Sequence, residues 1–316
     1  METKQKKRGL KPRHIVALVV GIVLAAALAM LIYLPYMMLD GMVERHVDFR
    51  ELYAPEDFGV EATELQFVTS DGLNIAAWEV ETENPRAVMI YLSGIHNPSV
   101  TAFFGHAAML RDEGFAGVLV EMRAHGASEG DIISLGMTEY LDAQAAVQYI
   151  RSETKYDGVP IVVLGLSMGA GTAINAIGET PEIDALITLS AFSTWQDVFH
   201  DSMIMMGYPR FFAAIERPFV SLYMGMKYGF DKLRINPLDE LEKLDGRPAL
   251  IMHSRGDTQV PFASFERIME KIEGAPSIDT YVIDGDYHLI CNDQFLEPWE
   301  NAEYSDALIG FLNKHF

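Results

Sequence analysis

The feature that most constrains the fold is the stretch 160–171, which reads Pro-Ile-Val-Val-Leu-Gly-Leu-Ser-Met-Gly-Ala-Gly. A short apolar run rich in β-branched residues predicts a buried strand, and the small residues after it predict the start of a helix. The Gly-x-Ser-x-Gly pattern between them is typical of a sharp turn with Ser167 at its tip. Gly165 and Gly169 would leave room there for the neighbouring strand and helix. The alternative is an ordinary glycine-containing turn with an incidental serine.

From residue 61 onward, predicted strands and helices alternate along the chain. The first two strands flank the turn signal Ser70-Asp71-Gly72 and predict an antiparallel hairpin. Several later strands are continuous apolar runs, which are typical of strands buried on both faces. This order predicts an α/β fold with a mostly parallel eight-stranded sheet and helices on both faces. The predicted strands are 64–69, 73–80, 87–92, 115–121, 161–164, 185–189, 249–253 and 278–283, and the predicted helices are 99–113, 138–151, the one after Ser167, 262–272 and 301–316.

The alternation stops at residues 192–236, where Met and Phe are frequent. We expect this stretch to form a helical cap inserted over Ser167, because Met-rich apolar surfaces adapt to apolar ligands. The alternative is a set of helices that only pack on the domain core.

The N-terminus contains twenty consecutive uncharged residues, 15–34, followed by Pro35. Twenty helical residues cover about 30 Å, the thickness of the hydrocarbon layer of a bilayer. We therefore predict a basic cytoplasmic tail at 1–14, a transmembrane helix at 15–36, a linker with a short helical start at 37–60 and an α/β domain at 61–316. A cleaved signal peptide is the alternative, because Ala27-Leu28-Ala29 resembles a cleavage site, although the apolar segment of such peptides is usually shorter.

Charge separates the tail from the body. The formal net charge is −21, and because the first fourteen residues contribute +5, the remaining chain carries −26. By the positive-inside rule the basic tail is cytoplasmic and the body lies outside, which predicts a single-pass protein of the cell membrane. An acidic body repels phosphate backbones, so we expect no nucleic-acid partner.

No pattern in the sequence indicates a metal or an organic cofactor. His96, His106 and His125 lie on separate predicted elements, and Cys291 is the only cysteine. Neither a Gly-x-Gly-x-x-Gly after a strand nor a phosphate-binding loop with lysine is present. We therefore expect neither a cofactor nor a metal ion.

Four motifs in order resemble those of the α/β-hydrolase family, and the match covers residues 61–316. They are the stretch around Ser167, Arg-Ala-His-Gly-Ala-Ser at 123–128, His-Ser-Arg-Gly-Asp-Thr-Gln-Val-Pro at 253–261 and Gly-Asp-Tyr-His at 285–288. Within the family, the chain looks most similar to membrane-anchored, serine-aminopeptidase-like and Bem46-like hydrolases. The resemblance implies a nucleophile, an acid and a base in the order Ser167, Asp257 and His288.

The chemistry explains why these three residue types occur together. A serine hydroxyl is a poor nucleophile until a base removes its proton, which His288 would do while Asp257 orients the imidazole. For Asp257, the structural alternative is a solvated turn residue. Asp197 and Asp201, which follow the preceding strand, are alternative acids.

Backbone N–H groups are expected to stabilise the oxyanion. We assign Met168, at the start of the helix after the nucleophile, and Ile95, in the loop after the 87–92 strand. The family commonly has His-Gly at that loop, whereas this chain has Ser93 and Gly94. Ser93 or His96 would then orient the loop, although a lone histidine more often serves structure.

These expectations combine into one functional hypothesis. The chain is expected to be a membrane-tethered serine hydrolase that cleaves a small-molecule carboxylic ester with an apolar acyl group, through an acyl-enzyme. A peptidase or a thioesterase would use the same triad. The alternative from another class is a non-catalytic binding module with a hydrolase fold.

Overall fold

The computed structural model describes residues 11–43, 45–96 and 98–316. Most of the predicted basic tail therefore lies outside the described residues. The strands are β1 (Thr63–Val68), β2 (Asn74–Val80), β3 (Ala87–Leu92), β4 (Phe115–Val120), β5 (Ile161–Leu166), β6 (Ala185–Leu189), β7 (Ala249–Ser254) and β8 (Ile278–Ile283). The α-helices are α1 (Pro12–Val43), α2 (Phe104–Asp112), α3 (Tyr140–Ser152), α4 (Met168–Glu179), α5 (Trp195–Met205), α6 (Arg210–Tyr228), α7 (Pro237–Glu240), α8 (Ala263–Lys271) and α9 (Ala302–His315).

The eight strands form one sheet in the order β1-β2-β4-β3-β5-β6-β7-β8. In this order, each strand from β4 onward is parallel to its neighbour, through β3, β5, β6 and β7 to β8. The two remaining pairs, β1 with β2 and β2 with β4, are antiparallel. This arrangement confirms the predicted eight-stranded, mostly parallel sheet. Its carboxyl edge gathers the loops after β3, β5, β7 and β8, where open α/β sheets place their sites.

Alternating side chains of the central strands pack on opposite faces of the sheet. On one face Ile90 and Val163 join a core with α3, α4 and α8. On the other face Tyr91 and Leu164 join a core with α2 and α9. Every residue of these strands is buried because both faces of the sheet are covered, which explains why the strands read as uninterrupted apolar runs.

The N-terminal helix α1 has 32 residues and is long and apolar enough to cross a membrane. Residues 12–30 are exposed, as expected for a segment that would face lipid. The helix continues through Pro35 to Val43, so the first seven residues of the predicted linker are helical. Leu39 and Val43 are buried, which shows that this last part of α1 packs on the rest of the protein.

The predicted insertion contains α5 and α6, which pack on each other beside α1. Leu34 and Leu39 of α1 share a third hydrophobic cluster with Phe199, Met203 and Met224 of these two helices. Hydrogen bonds fasten the cap to the sheet domain, and two of them come from aromatic side chains of α5 and α6. Trp195 Nε1 donates to the Leu135 carbonyl at 2.6 Å, and Tyr228 Oη donates to the Ile133 carbonyl at 2.9 Å.

Candidate active site

Ser167 lies at the turn between β5 and α4. Its φ of 54° and ψ of −114° fall in a region that a residue with a side chain adopts only under strain. A Cβ on Gly165 would lie 2.1 Å from the Gly169 carbonyl oxygen, and a Cβ on Gly169 would lie 2.2 Å from the Leu92 carbonyl oxygen. Both glycines are therefore needed for close packing of α4 against β5 and β3, which holds the strained serine at the carboxyl edge of the sheet.

The end of β6 contacts both the turn at Ser167 and the loop that carries His288. Ser167 N–H donates to the Leu189 carbonyl at 2.8 Å, and the Ser190 hydroxyl donates to the His288 carbonyl at 2.7 Å. Ser190 also has a positive φ, of 54°. Among the hydrogen bonds of the described residues there is none between the Ser167 hydroxyl and His288. Catalytic hydrogen bonds are often long without substrate and tighten when it binds.

Asp257 and His288 are in direct polar contact. Asp257 Oδ2 lies 2.8 Å from His288 Nδ1, while its Oδ1 accepts hydrogen bonds from the backbone N–H groups of Gln259 (2.8 Å) and Val260 (2.9 Å). Burial raises the pKa of this carboxyl group, but the hydrogen bond and charge of His288 and the two backbone donors outweigh it, so the Asp257 pKa lies below its usual value. The carboxylate thus stays charged, and His288 Nε2 is left for the reacting atoms.

The two alternative acids are engaged elsewhere. Asp197 pairs with Arg217 at 2.8 Å, and Asp201 pairs with Arg267 at 2.7 Å. Because both carboxylates are held by arginines of the cap and of α8, the contacts favour Asp257 over them as the partner of His288.

Ile95 and Met168, the two expected oxyanion donors, line the same cavity as Ser167. Met168 is the first residue of α4, so its N–H lies at the positive end of the helix dipole. In the described part of the chain, neither of these two backbone N–H groups has a hydrogen-bond partner. Both donors are therefore available to a ligand in the cavity.

A relay of hydrogen bonds holds the loop that carries Ile95. The next residue, His96, has a φ of 66°, and its N–H donates to His125 Nε2 at 3.2 Å. His125 Nδ1 in turn lies 2.9 Å from the Arg123 carbonyl, and His96 Nε2 lies 2.7 Å from the Met42 carbonyl at the end of α1. Burial lowers the pKa of both imidazoles, so each is neutral and donates from one nitrogen only. The loop that carries Ile95 is thereby connected directly to the N-terminal helix.

Arg123 holds the loop in which His125 lies. Its guanidinium donates to Asp142 at 2.8 Å and to Asp71 at 2.7 Å, and the arginine side chain is almost completely buried. Both Arg123 and His125 thus have positioning contacts, whereas neither lines the cavity at Ser167.

The cavity at Ser167 has a volume of about 250 Å³ and mostly apolar walls. One wall is α5, including Phe199, and the α5–α6 turn, including Met206. Another wall is the end of α1, which the sequence pattern assigned to a linker. The lining residues are Met38, Leu39, Met42, Ile95, Ser167, Met168, Phe192, Trp195, Val198, Phe199, Ser202, Met206, Gln259 and Val260. A sequence signal for the second wall did exist, since apolar residues at positions 38, 39, 42 and 43 continue the helical spacing beyond Pro35.

Among the described residues, no group of three or more His, Cys, Asp and Glu side chains is arranged to hold a metal ion. His106, one of the three histidines on separate predicted elements, lies in the core formed with α2 and α9. Its Nε2 lies 2.9 Å from Tyr304 Oη.

Comparison with known proteins agrees with this fold. The profile of a family described as serine aminopeptidase, S33, matches residues 83–237, a stretch that contains Ser167 but ends before Asp257 and His288. The uncharacterized protein YqkD of Bacillus subtilis is 22% identical over 282 residues, which cover 86% of this chain and 90% of that protein.

Solved structures of other proteins have a similar fold. A Pyrococcus furiosus esterase, Pf2001, superposes with a TM-score of 0.66 at 21% identity, covering 86% of this chain and 98% of the esterase. An acylaminoacyl peptidase of Pyrococcus horikoshii superposes with a TM-score of 0.62 at 14% identity, covering 82% of this chain but 42% of the peptidase. With its sheet order and its strand–turn–helix at a strained serine, the chain has the α/β-hydrolase fold.

Proposed function

We propose that this protein is a membrane-tethered serine hydrolase that cleaves a carboxylic ester with an apolar acyl group. The observation that carries the proposal is the strained Ser167, fixed by two close-packed glycines beside the buried Asp257–His288 pair. A binding module has no use for a strained serine and two N–H groups without partners among the described residues around one cavity, with a buried Asp–His pair next to it in the fold.

In the first half of the reaction, Ser167 Oγ attacks the ester carbonyl carbon while His288 Nε2 takes the hydroxyl proton. The carbonyl oxygen becomes an oxyanion and accepts hydrogen bonds from the N–H groups of Met168 and Ile95. Asp257 keeps the imidazole in the tautomer that leaves Nε2 unprotonated, and it stabilises the imidazolium that forms. The imidazolium then protonates the leaving alcohol as the carbon–oxygen bond breaks, which leaves an acyl group on Ser167.

In the second half, water replaces the alcohol. His288 takes a proton from the water as its oxygen attacks the acyl carbon, and the same two N–H groups hold the second oxyanion. Collapse of this intermediate releases the carboxylic acid and returns the proton to Ser167 Oγ.

The cavity supports an apolar acyl group of moderate size. Its volume of about 250 Å³ is at the lower end for a small-molecule pocket, and its walls are Met, Leu, Phe and Trp side chains. Each buried methylene contributes about 0.8 kcal/mol, so two further methylenes held in the transition state raise kcat/KM by about tenfold.

The test combines a covalent probe with an ester series. A fluorophosphonate should label the wild-type protein, and Ser167→Ala should abolish both labelling and turnover. With p-nitrophenyl esters from acetate to octanoate, kcat/KM should rise to a middle chain length, and Met206→Ala should flatten that rise. Retained labelling of Ser167→Ala would assign the nucleophile elsewhere, and a steady fall from acetate onward would exclude the apolar acyl site.

Peptide hydrolysis is the second candidate. The serine aminopeptidase profile and the similarity to an acylaminoacyl peptidase favour it, and the same residues would perform it. Peptide p-nitroanilides assayed beside the esters separate the two, because an esterase should show turnover with the esters alone.

We also propose that α1 anchors the protein in the cell membrane, with the hydrolase domain outside the cytoplasm. Support comes from the exposed apolar surface of residues 12–30 and from six basic residues before the span.

A further inference from the structure

We propose that the cap lies in the interface of the membrane in which α1 is anchored, and that amphiphilic esters reach Ser167 from the bilayer. The cap's apolar outer surface is defined here as Met205, Met206, Tyr208, Phe211, Ile215 and Met226. The inference rests on the proposed hydrolase function for its substrate, whereas the position of the cap in the membrane can be tested without turnover.

The first argument is depth. A groove of about 760 Å³ separates α1 from α6, and its α1 side includes Ala29, Ile32 and Tyr33. These three residues belong to the apolar span that would lie in the membrane. Because α6 faces them across the groove through Leu222 and Met226, this part of the cap lies at the same depth as the end of the span.

Aromatic and charged side chains fit this depth. Tyr36 of α1 and Tyr223 of α6 make an edge-to-face contact with ring centroids 6.4 Å apart, and tyrosine is enriched where membrane meets water. Just beyond them, Lys227 Nζ pairs with Asp40 at 2.5 Å. The two helices are thus joined by a contact suited to the headgroup region.

The second argument is the outer face of α6. Phe211 is 69% exposed, Ile215 45% and Met226 73%, and with Leu222 they follow one another at spacings of four, seven and four residues along one side of the helix. The opposite side, with Ala213, Val220 and Met224, is already buried against α5 and α1. A helix that is apolar on both sides needs a second apolar environment.

The third argument is charge. Residues 207–234 hold five basic residues and two acidic ones, although the chain after residue 14 carries −26. Of the basic residues, Arg217 and Lys227 already pair with Asp197 and Asp40. Arg210 and Arg234 are exposed. Basic residues beside an exposed apolar helix face suit an anionic lipid surface, which the rest of this acidic protein would repel.

The fourth argument is continuity with the catalytic cavity. Met206 is 64% exposed on the outer surface and also lines the cavity at Ser167, and Met38 of α1 lines the same cavity. An acyl chain leaving the bilayer beside α1 therefore meets apolar side chains up to the nucleophile.

Fluorescence quenching tests the position of the cap. The full-length protein would be reconstituted in phosphatidylcholine–phosphatidylglycerol vesicles with a single environment-sensitive label at Phe211→Cys or Met226→Cys. Cys291 is buried and should not compete for the label. The control is Glu83→Cys, an exposed position just before β3, at the sheet edge opposite Ser167. Nitroxide-bearing lipids should quench the labels at 211 and 226 several-fold more than the label at 83.

Two results would overturn the proposal. Labels at 211 and 226 that respond to a water-soluble quencher as strongly as the label at 83 would show a cap in water. Labels protected from that quencher but not quenched by lipid would show that a second copy of the chain covers this face.

Substrate access is tested with a charge on the outer surface. Phe211→Glu should lower the hydrolysis of a long-chain ester embedded in vesicles by about tenfold, the effect expected for losing a buried phenyl group. Its hydrolysis of a water-soluble butyrate ester should not change, and Phe211→Leu should behave as wild type with both. An equal effect on the two esters would contradict access from the bilayer. Failure of the hydrolase proposal looks different, since neither ester would then be cleaved while the quenching result would stand.

Discussion

Asp257 has every hydrogen-bond partner that the acid of a triad requires, and replacing it tests the site directly. Asp257→Asn keeps the shape of the side chain but removes the charge that fixes the tautomer of His288. We expect kcat to fall by about 10⁴, as for the corresponding change in serine proteases, with little change in thermal stability. Asp201→Asn is the control, because Asp201 pairs with Arg267. A greater loss of kcat in the control would move the acid to the cap.

Glu216 is a buried acidic residue that should make the stability of the protein depend on pH. It is fully buried in α6, and neither carboxylate oxygen has a hydrogen-bond partner among the described residues. Burial raises the pKa of Glu216 from 4.5 to about 7. The folded state therefore keeps the carboxyl proton up to a higher pH than the unfolded state does. The free energy of unfolding should therefore decrease as the pH rises from about 4.5 to about 7.

Glu216→Gln should remove this dependence. A neutral amide resembles the protonated acid, so the variant should match wild type at pH 5 and exceed its stability at pH 8 by about 1–3 kcal/mol. Thermal unfolding in detergent at the two pH values measures the difference. Equal stability of variant and wild type at pH 8 would mean that ionisation of Glu216 does not lower the free energy of unfolding.

Among the elements, the end of α1 has a role at the site through His96. His96→Ala removes the hydrogen bond to the Met42 carbonyl and frees the loop that presents Ile95. We expect kcat to fall by about 10–100-fold with KM nearly unchanged, because a displacement of about 1 Å at an oxyanion donor costs this much. A variant with the wild-type kcat, or with a change in KM alone, would show that α1 does not position the oxyanion loop.

Elements could be predicted where the local sequence itself shows how they pack. The glycines around Ser167 predict close packing of the neighbouring strand and helix. The order of apolar runs predicts the mostly parallel sheet, which the structure confirms. The apolar spacing within 37–43 could be read from the sequence, but its contact with the cavity at Ser167 could not. Pro35 usually ends a helix, but here the helix continues, and a local pattern shows that a face is apolar without showing its partner.

Ser190 shows a similar limit at the site. Its positive φ and its hydrogen bond to the His288 carbonyl depend on the meeting of β6 with a loop 98 residues away. Nothing in the residues around it indicates that contact. The choice between Asp257 and the two cap aspartates likewise needed their arginine partners, which come from distant elements.

For the whole molecule, orientation in the membrane is the main prediction. Protease treatment of intact cells should release the hydrolase domain, because the basic tail before α1 favours the cytoplasm and the acidic domain does not. An epitope tag placed before residue 11 should remain protected in the same cells. Protection of the domain and loss of the tag would reverse the orientation.

The contact between α1 and the loop that carries Ile95 also determines how far the N-terminus could be shortened without disturbing the cavity at Ser167. Proteolytic maturation after Ala29 would remove most of the apolar span, yet it would leave 30–43 and with them Met38, Leu39 and the Met42 carbonyl. A secreted form trimmed at that point would retain its catalytic cavity, whereas trimming beyond Val43 would open one wall of it. A soluble fragment for crystallisation or enzymology should therefore begin near residue 30, with the apolar side of its first helix masked by detergent.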